Sequence, residues 1–143
     1  MRLHKLCLIV CLFLVSFSVN AADYAGGVQA KVLLKTTQTG NGDPISYLKT
    51  DQAEVTVMTV DIAPGAETGW HKHSVPVYAY VMSGSLTVNI DGKISRLFNA
   101  GDVIIEVVNV PHNGINSGKD PVKLIVFYTG AKDIPLVFKT TAP

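Results

Sequence analysis

Three histidines, His71, His73 and His112, are the residues of this sequence best suited to metal chemistry. In an extended segment, residues i and i+2 point to one face with Cα atoms roughly 6.6 Å apart, so the imidazoles of His71 and His73 can converge on one ion. His112 follows about forty residues later beside Pro111, where a barrel would bring it opposite the pair. A single His-x-His pair is weak evidence by itself. Together, the three histidines predict a site for one divalent metal ion.

The segments that must position these histidines are predicted to be β-strands throughout. Apolar, β-branched runs recur about every 8–12 residues with turn residues between them. The predicted strands are Val28–Lys35, Glu54–Ile62, Val77–Met82, Ser85–Ile90, Lys93–Phe98, Val103–Val108, Val122–Thr129 and Leu136–Lys139. Asp91-Gly92 marks a two-residue hairpin, and Thr36–Pro44 is predicted to be an exposed loop. This rhythm indicates an all-β sandwich or barrel in one domain.

Residues 1–21 have the pattern of a cleavable secretory signal peptide. Arg2 and Lys5 precede the apolar run Leu6–Phe17, and Val19–Ala21 supplies small residues for cleavage after Ala21. The apolar run is shorter than the roughly 20 residues that span a bilayer. We therefore expect an exported protein, periplasmic or secreted, in which residues 22–143 form one domain that is not attached to a membrane.

Cleavage would also change the residue inventory of the chain. Cys7, Cys11 and His4 would be removed, so the mature protein could form no disulfide, and its three remaining histidines would be the three of the metal pattern. Ten basic and eleven acidic residues would remain, a net charge close to −1. Such a charge gives no reason to expect nucleic acid or an anionic membrane surface as a partner.

The spacing of the glycines and histidines resembles both sequence motifs of the cupin superfamily. The first motif, G-x5-H-x-H-x3–4-E-x6-G, is matched in spacing by Gly65, His71, His73, Val77 and Gly84. The second motif, G-x5-P-x-G-x2-H-x3-N, is matched in spacing by Gly101, Val107, Asn109, His112 and Asn116. The resemblance covers most of residues 28–139. It implies a single jelly-roll (cupin) β-barrel with a metal ion held inside it.

One departure from the family pattern changes the expected ligand set. Val77 stands where the resemblance places a glutamate ligand, and a valine cannot coordinate a metal. In one interpretation, three histidines hold the ion, and its open positions favour an anionic substrate such as a carboxylate, enolate or thiolate. Cysteine dioxygenase, a cupin, is similar in having three histidine ligands. In the other, Glu106 supplies the carboxylate, by coordination or through a metal-bound water, because it is the lone acidic residue of the apolar run Val103–Val108. The alternative for Glu106 is a solvent-facing position or an ion pair with Arg96 or a lysine.

Three weaker predictions concern the substrate pocket. Tyr78 and Tyr80 share a face by strand parity and could line the pocket with their hydroxyls, with ordinary core packing as the alternative. Asn116 matches the second cupin motif, and we expect it to stabilise the loop that carries His112 or to reach the pocket.

Three functions are compatible with this sequence. The first is a metal-dependent enzyme that acts on a small metal-chelating molecule, by dioxygenation or isomerisation. The second is a non-catalytic exported module that binds a metal or a small polar ligand, and the third is a structural cupin whose histidines only form hydrogen bonds.

The expected ion is Mn, Fe, Zn or Ni, and the expected partner is a small molecule, anionic in the three-histidine case. The resemblance also implies a homodimer through edge strands, for which Val28–Lys35 is the candidate pairing strand.

Overall fold

The computed structural model describes residues 26–91 and 94–143, and Leu33–Pro143 forms one compact unit. Within these ranges the chain forms nine β-strands. In chain order they are β1 (Ala53–Ile62), β2 (His71–Lys72), β3 (Val77–Ser83), β4 (Ser85–Ile90), β5 (Ile94–Asn99), β6 (Val103–Ile105), β7 (His112–Ile115), β8 (Val122–Ala131) and β9 (Phe138–Lys139). No helix among the described residues is long and apolar enough to cross a membrane. The predicted signal peptide and Gly92 of the predicted hairpin turn lie outside the described residues.

The strands form two sheets, ordered β1-β8-β3-β6 and β5-β4-β7-β2-β9. All strand pairs in both sheets are antiparallel. The longest pair, β1 with β8, places Ala53 opposite Ala131 and Ile62 opposite Val122. The prediction of an all-β protein is confirmed.

The hydrophobic core lies on the inner faces of the strands, because alternate residues of a strand point to opposite sides. In β8, Val122, Leu124, Val126 and Tyr128 are buried, and the residues between them are more exposed. Full burial of one such side chain contributes about 1.5–3 kcal/mol relative to an exposed position. Apolar burial on these inner faces therefore holds the strands in place, and the histidines project into the same interior.

The predicted strand over Val28–Lys35 is wrong. These residues form no strand, and Val28 and Leu33 are 58% and 55% exposed. Apolar side chains are compatible with a strand, but a strand also needs a neighbour for its backbone hydrogen bonds, and this segment has none within the described residues. The pairing of two copies through this segment stays a prediction.

Two other strand predictions needed correction. The predicted strand Val103–Val108 ends at Ile105, and the two short strands that carry histidines, β2 and β7, were not predicted. The valines at positions 55 and 57, which gave β1 its strand pattern, lie on the exposed outer face. The inner face of β1 is formed instead by residues 56, 58, 60 and 62.

The segment Thr36–Pro44 is a loop, as predicted, and it packs along the free edge of β6. The backbone N–H of Gly40 donates to the carbonyl oxygen of Ile105 at 2.9 Å. A Cβ atom at Gly40 would lie 3.2 Å from Cδ1 of Ile90 and 3.3 Å from the same carbonyl oxygen, so the loop lies close to both sheets. It therefore covers an edge strand that would otherwise present unpaired backbone groups.

Gly84, the last glycine of the first cupin-like motif, is predicted to tolerate no side chain. Its φ angle is +77°, and an added Cβ would lie 2.8 Å from the carbonyl oxygen of Pro121 and 2.9 Å from Cα of Val122. We expect Gly84→Ala to lower the free energy of unfolding by about 3 kcal/mol, since backbone strain and steric overlap each contribute about 1–3 kcal/mol. Gly101→Ala is the matched control, because Gly101 has a φ angle of +97° but open space around it. Urea unfolding of both variants measures the difference, and equal losses would show that the contact at Gly84 does not matter.

Candidate metal centre

His71 and His112 are brought together by backbone pairing. They are directly opposed in the antiparallel pair of β2 and β7, so their side chains leave the sheet on the same side. Their ring centroids lie 4.4 Å apart, and His112 is buried. Each short strand thus contributes one imidazole to the interior.

His73 reaches the same point from the end of β2. Its carbonyl oxygen accepts a 2.7 Å hydrogen bond from the backbone N–H of Asn109, and its backbone forms a parallel bridge with Val108. Asn109 has a φ angle of 60°, which confirms that asparagine takes the left-handed conformation at this glycine position of the motif. The ring centroid of His73 lies 4.9 Å from that of His71 and 5.0 Å from that of His112. One nitrogen from each of the three rings lies within 4.8 Å of the other two.

Hydrogen bonds to backbone carbonyls fix the orientation of all three rings. The Nδ1 atoms of His71, His73 and His112 lie 2.8, 2.7 and 3.0 Å from the carbonyl oxygens of Gly69, Leu136 and Val110. A carbonyl oxygen only accepts, so each Nδ1 carries the proton and donates it. In the neutral rings the lone pair is then on Nε2. This is the arrangement found around metal-bound histidines, in which a carbonyl or carboxylate orients the ring that binds the ion.

Glu106 adds a carboxylate to this group of nitrogens. Its Oε2 atom lies 2.9 Å from Nε2 of His73 and 3.3 Å from Nε2 of His112. The backbone N–H of Glu106 donates to the carbonyl oxygen of Val77. Glu106 therefore lies beside Val77, which occupies the glutamate position of the family motif, but Glu106 belongs to the segment that follows β6. The alternatives of a solvent-facing Glu106, or of a pair with Arg96 or a lysine, are wrong.

The ionisation of the site follows from burial and from these contacts. Burial alone would raise the pKa of Glu106, but its contacts with His112 and His73 outweigh burial and lower that pKa to about 2. Burial opposes the charged form of His112, whereas the contact with Glu106 favours it, and the pKa of His112 is raised overall. Burial lowers the pKa of His71, which keeps this ring neutral and able to bind a metal.

A small cavity of about 60 Å³ adjoins the histidines. Its polar lining includes the three histidines and Glu106, and the remainder is mainly apolar, from Val60, Leu86, Val88, Leu124, Val126 and Tyr128. The rings of Tyr128 and His73 meet edge to face with centroids 5.4 Å apart. Burial, together with the charge of Glu106, raises the pKa of Tyr128 to about 12. Its hydroxyl therefore stays protonated and can act as a hydrogen-bond donor toward this cavity.

The predicted pocket residues Tyr78, Tyr80 and Asn116 do not line this cavity. Tyr78 and Tyr80 do share a face, but it is the outer face of β3, because Val77, Ala79 and Val81 take the inner one. Asn116 is fully buried, and its side-chain amide donates to the carbonyl oxygens of Ile62 and Asp120 at 2.9 Å. Its Oδ1 accepts from the backbone N–H of Gly118. The turn that these bonds stabilise follows β7 and does not precede His112, so Asn116 does not hold the loop that leads to His112 as expected.

Sequence reasoning missed a polar network on the outer side of His71. The amide of Asn113, which is buried, donates to Oε2 of Glu67 at 2.8 Å, and the Thr68 hydroxyl donates to Oδ1 of Asn113 at 3.3 Å. The same hydroxyl lies 3.5 Å from Nδ1 of His71 and accepts from the backbone N–H of Gly114. A buried asparagine directly after a predicted ligand was the signal that could have indicated this network.

Residues 58–128 match the family model of the cupin domain, Cupin_2. The matched stretch contains the three histidines and Glu106. Residues 58–128 form a cupin domain. The two antiparallel sheets are those of the cupin jelly roll, so the predicted fold class is confirmed. The buried three-histidine cluster of this cupin domain is consistent with metal binding. No curated protein sequence matches the chain.

Solved structures with the same fold include several enzymes. DMSP lyase DddQ from Ruegeria pomeroyi DSS-3 is 19% identical with a TM-score of 0.54, over 71% of this chain and 48% of the lyase. Oxalate decarboxylase from Lactobacillus farciminis, in a formate complex, is 18% identical with a TM-score of 0.51, over 66% of this chain and 33% of the decarboxylase. Recombinant oxalate oxidase, in complex with glycolate, is 19% identical with a TM-score of 0.51, over 82% of this chain and 68% of the oxidase. This chain thus spans half or less of the lyase and the decarboxylase, and at these identities the likeness concerns the fold.

Proposed function

We propose that this cupin binds one divalent metal ion through His71, His73, His112 and Glu106, and uses it to bind and convert a small chelating molecule. The observation that carries the proposal is the contact between Glu106 and the two histidines. Oε2 of Glu106 and Nε2 of His112 are buried and have no hydrogen-bond partner of good geometry among the described residues. Because the Nδ1 atoms already donate to carbonyls, lone pairs on Nε2 would face a carboxylate oxygen. A metal cation among these atoms would make the arrangement favourable, as would the Nε2 proton that the raised pKa of His112 favours.

The distances from Glu106 to the two histidines are compatible with ligands of one metal ion. Ligand atoms about 2.1 Å from an ion are about 3.0 Å apart when they subtend a right angle and about 3.4 Å apart at the tetrahedral angle. The contacts of Glu106 with His73 and His112, 2.9 and 3.3 Å, lie in this range. Three neutral imidazoles and a carboxylate suit Mn, Fe, Zn or Ni, and their charges would leave one positive charge on a bound dication.

A bound ion would act as a Lewis acid that attracts and polarises an oxygen-bearing ligand. The residues of the chain would hold this ligand in a cavity of about 60 Å³, which has room for only a few non-hydrogen atoms. The apolar residues of the lining exclude bulk water and strengthen electrostatic interactions inside. The protonated hydroxyl of Tyr128 can donate a hydrogen bond to an anionic oxygen. A small carboxylate, enolate or thiolate fits these requirements, and oxalate, formate and glycolate are carboxylates named with the fold neighbours.

The second candidate function is that of a non-catalytic module that binds the metal and a small ligand without converting it. The small volume of the histidine cavity favours this alternative, because a substrate larger than a few atoms would not fit there. Both functions share the metal centre, and they differ only in whether the ligand is released unchanged.

Cobalt substitution tests the proposal. In the Co(II)-loaded protein, oxalate and glycolate are expected to cause saturable changes in the visible spectrum as they replace water on the ion. The absence of any change at millimolar ligand would contradict an accessible metal position. Incubation of the Mn- and Fe-loaded proteins with both carboxylates, followed by mass spectrometry of the small molecules, separates an enzyme from a binding module.

Export to the periplasm or the medium is part of the proposal and rests on residues 1–21. N-terminal sequencing of the protein from a secreting host is expected to begin at Ala22. A chain that retains its first residues would contradict cleavage.

A further inference from the structure

A second cavity lies outside the histidine cavity, between the loop over residues 39–49 and the ends of β3 and β6. Its volume of about 320 Å³ is at the lower end of the roughly 300–1,000 Å³ found for small-molecule sites. We call it the loop cavity. Its apolar wall includes Ile45, Leu48, Pro76 and Val108, and Tyr78, which sequence reasoning placed in the metal pocket, is part of its lining. None of the metal-site histidines lines it.

Two hydroxyl groups of the loop cavity have no hydrogen-bond partner among the described residues. Oγ of Ser74 and the phenolic oxygen of Tyr78 are both buried and unpaired. The nearby hydroxyl of Thr129 donates instead to the carbonyl oxygen of Pro76 at 3.1 Å. Buried hydroxyls without a partner are unfavourable, so a hydrogen-bonding molecule in the cavity, whether water or a ligand, would stabilise these two groups.

The charge at the inner end of the loop cavity restricts what that molecule can be. Glu106 lines both the loop cavity and the histidine cavity, and its side chain is 16% exposed. Besides this carboxylate, the loop cavity has Asp43 and Lys49 in its lining, so its formal charge is −1. In the metal-free protein, a carboxylate ligand would be repelled by Glu106, whereas a hydroxyl group could donate a hydrogen bond to it.

Residues 39–43 of the loop that forms one side of the cavity are held by hydrogen bonds. Besides the contact of Gly40 with Ile105, the hydroxyl of Thr39 donates to Oδ1 of Asn41 at 2.6 Å. The amide of Asn41 in turn donates to Oδ2 of Asp43 at 2.7 Å. A wall held by such bonds needs little ordering when a ligand binds.

From these observations we infer that the loop cavity is a second ligand site, for an uncharged hydroxylated molecule with an apolar body, such as a phenol. Ser74 and Tyr78 supply the hydrogen bonds, Glu106 accepts a proton of the ligand hydroxyl in a hydrogen bond, and the apolar wall holds the ring. This site does not require the metal, and it differs in ligand charge from the metal centre.

Phenol and benzoate, which share a ring but differ in charge, are the probes that test this site. Amide chemical shifts of the ¹⁵N-labelled protein are measured during titration, with and without prior dialysis against a chelator. We expect phenol to shift the amides of Ser74, Tyr78 and Glu106 with a Kd on the order of 1 mM in both samples. In the chelated sample, benzoate should cause no comparable shifts. Because the chelated sample is included, failure of the metal proposal would not affect this result.

Variants test the assigned roles. The double variant Ser74→Ala with Tyr78→Phe should bind phenol about tenfold more weakly, whereas Tyr80→Phe, on the same face of β3 but outside the loop cavity, should bind it normally. Glu106→Gln should admit benzoate. Equal binding of phenol and benzoate to the chelated, unaltered protein would overturn the inference. So would shifts confined to other surfaces, unchanged affinity in the double variant, or no binding of phenol.

Discussion

Removal of the metal with a chelator is expected to lower the Tm of the purified protein by about 10–20 °C. An ion present at a thousand times its Kd stabilises the folded state by about 4 kcal/mol if the unfolded chain does not bind it. In a compact unit of the size of Leu33–Pro143, each kcal/mol corresponds to a change of a few degrees. Loss of the ion also leaves the Glu106 carboxylate facing imidazole lone pairs. Differential scanning calorimetry before and after chelation measures the shift.

The control for this prediction is the same treatment of a variant that lacks a ligand. His112→Ala should already unfold at a lower temperature, and the chelator should change its Tm by no more than a degree or two. Restoring the ion to the chelated, unaltered protein should restore its Tm. An unaltered protein whose Tm does not respond to chelation or to added ions would contradict a metal that contributes to stability.

Glu106→Gln is expected to weaken metal binding by about 100-fold or more. The substitution keeps the size and shape of the side chain but removes the negative charge that lies 2.9 Å from His73 and 3.3 Å from His112. Loss of a residue that only supports a metal ligand reduces affinity by about 10–100-fold, so loss of a direct ligand should reach or exceed the upper end of that range. Competition titration with a chromophoric chelator measures both Kd values.

Glu67→Gln is the matched control, since Glu67 is an exposed glutamate that contacts Asn113 and does not line the histidine cavity. It should leave the Kd unchanged within about threefold. A loss of about tenfold in Glu106→Gln would indicate that Glu106 acts through a metal-bound water. An unchanged Kd in that variant would remove Glu106 from the site.

The histidine site could be predicted from the sequence because its evidence was local and chemical. A His-x-His pair in an extended segment and a third histidine at the second motif predicted three ligands, and the lone carboxylate in an apolar run made Glu106 a candidate fourth ligand. Burial of an acidic residue among apolar neighbours requires a partner, which is why this residue could be singled out without a structure. The strands β2 and β7 were not predicted because each is short and consists mainly of polar residues, which give no apolar strand pattern.

Tyr78 and Tyr80 show what the alternation of residues along a strand cannot predict. Residues 78 and 80 share one face of β3, and residues 77, 79 and 81 share the other, but both sets are largely apolar. Alternation establishes the two faces, whereas the choice of the inner face depends on packing against other strands. For the same reason, the apolar segment Val28–Lys35 could not be distinguished from a strand without knowing whether a neighbouring strand existed.

Metal content tests the central claim most directly. The protein is expressed with defined supplies of Mn, Fe, Zn and Ni, purified without chelators, and measured by elemental analysis together with His112→Ala, whose folding is checked by circular dichroism. The account predicts one divalent ion per unaltered chain and less than about a tenth of that in the folded variant. An unaltered protein without stoichiometric metal under every supply, or a variant that retains a full equivalent, would contradict it.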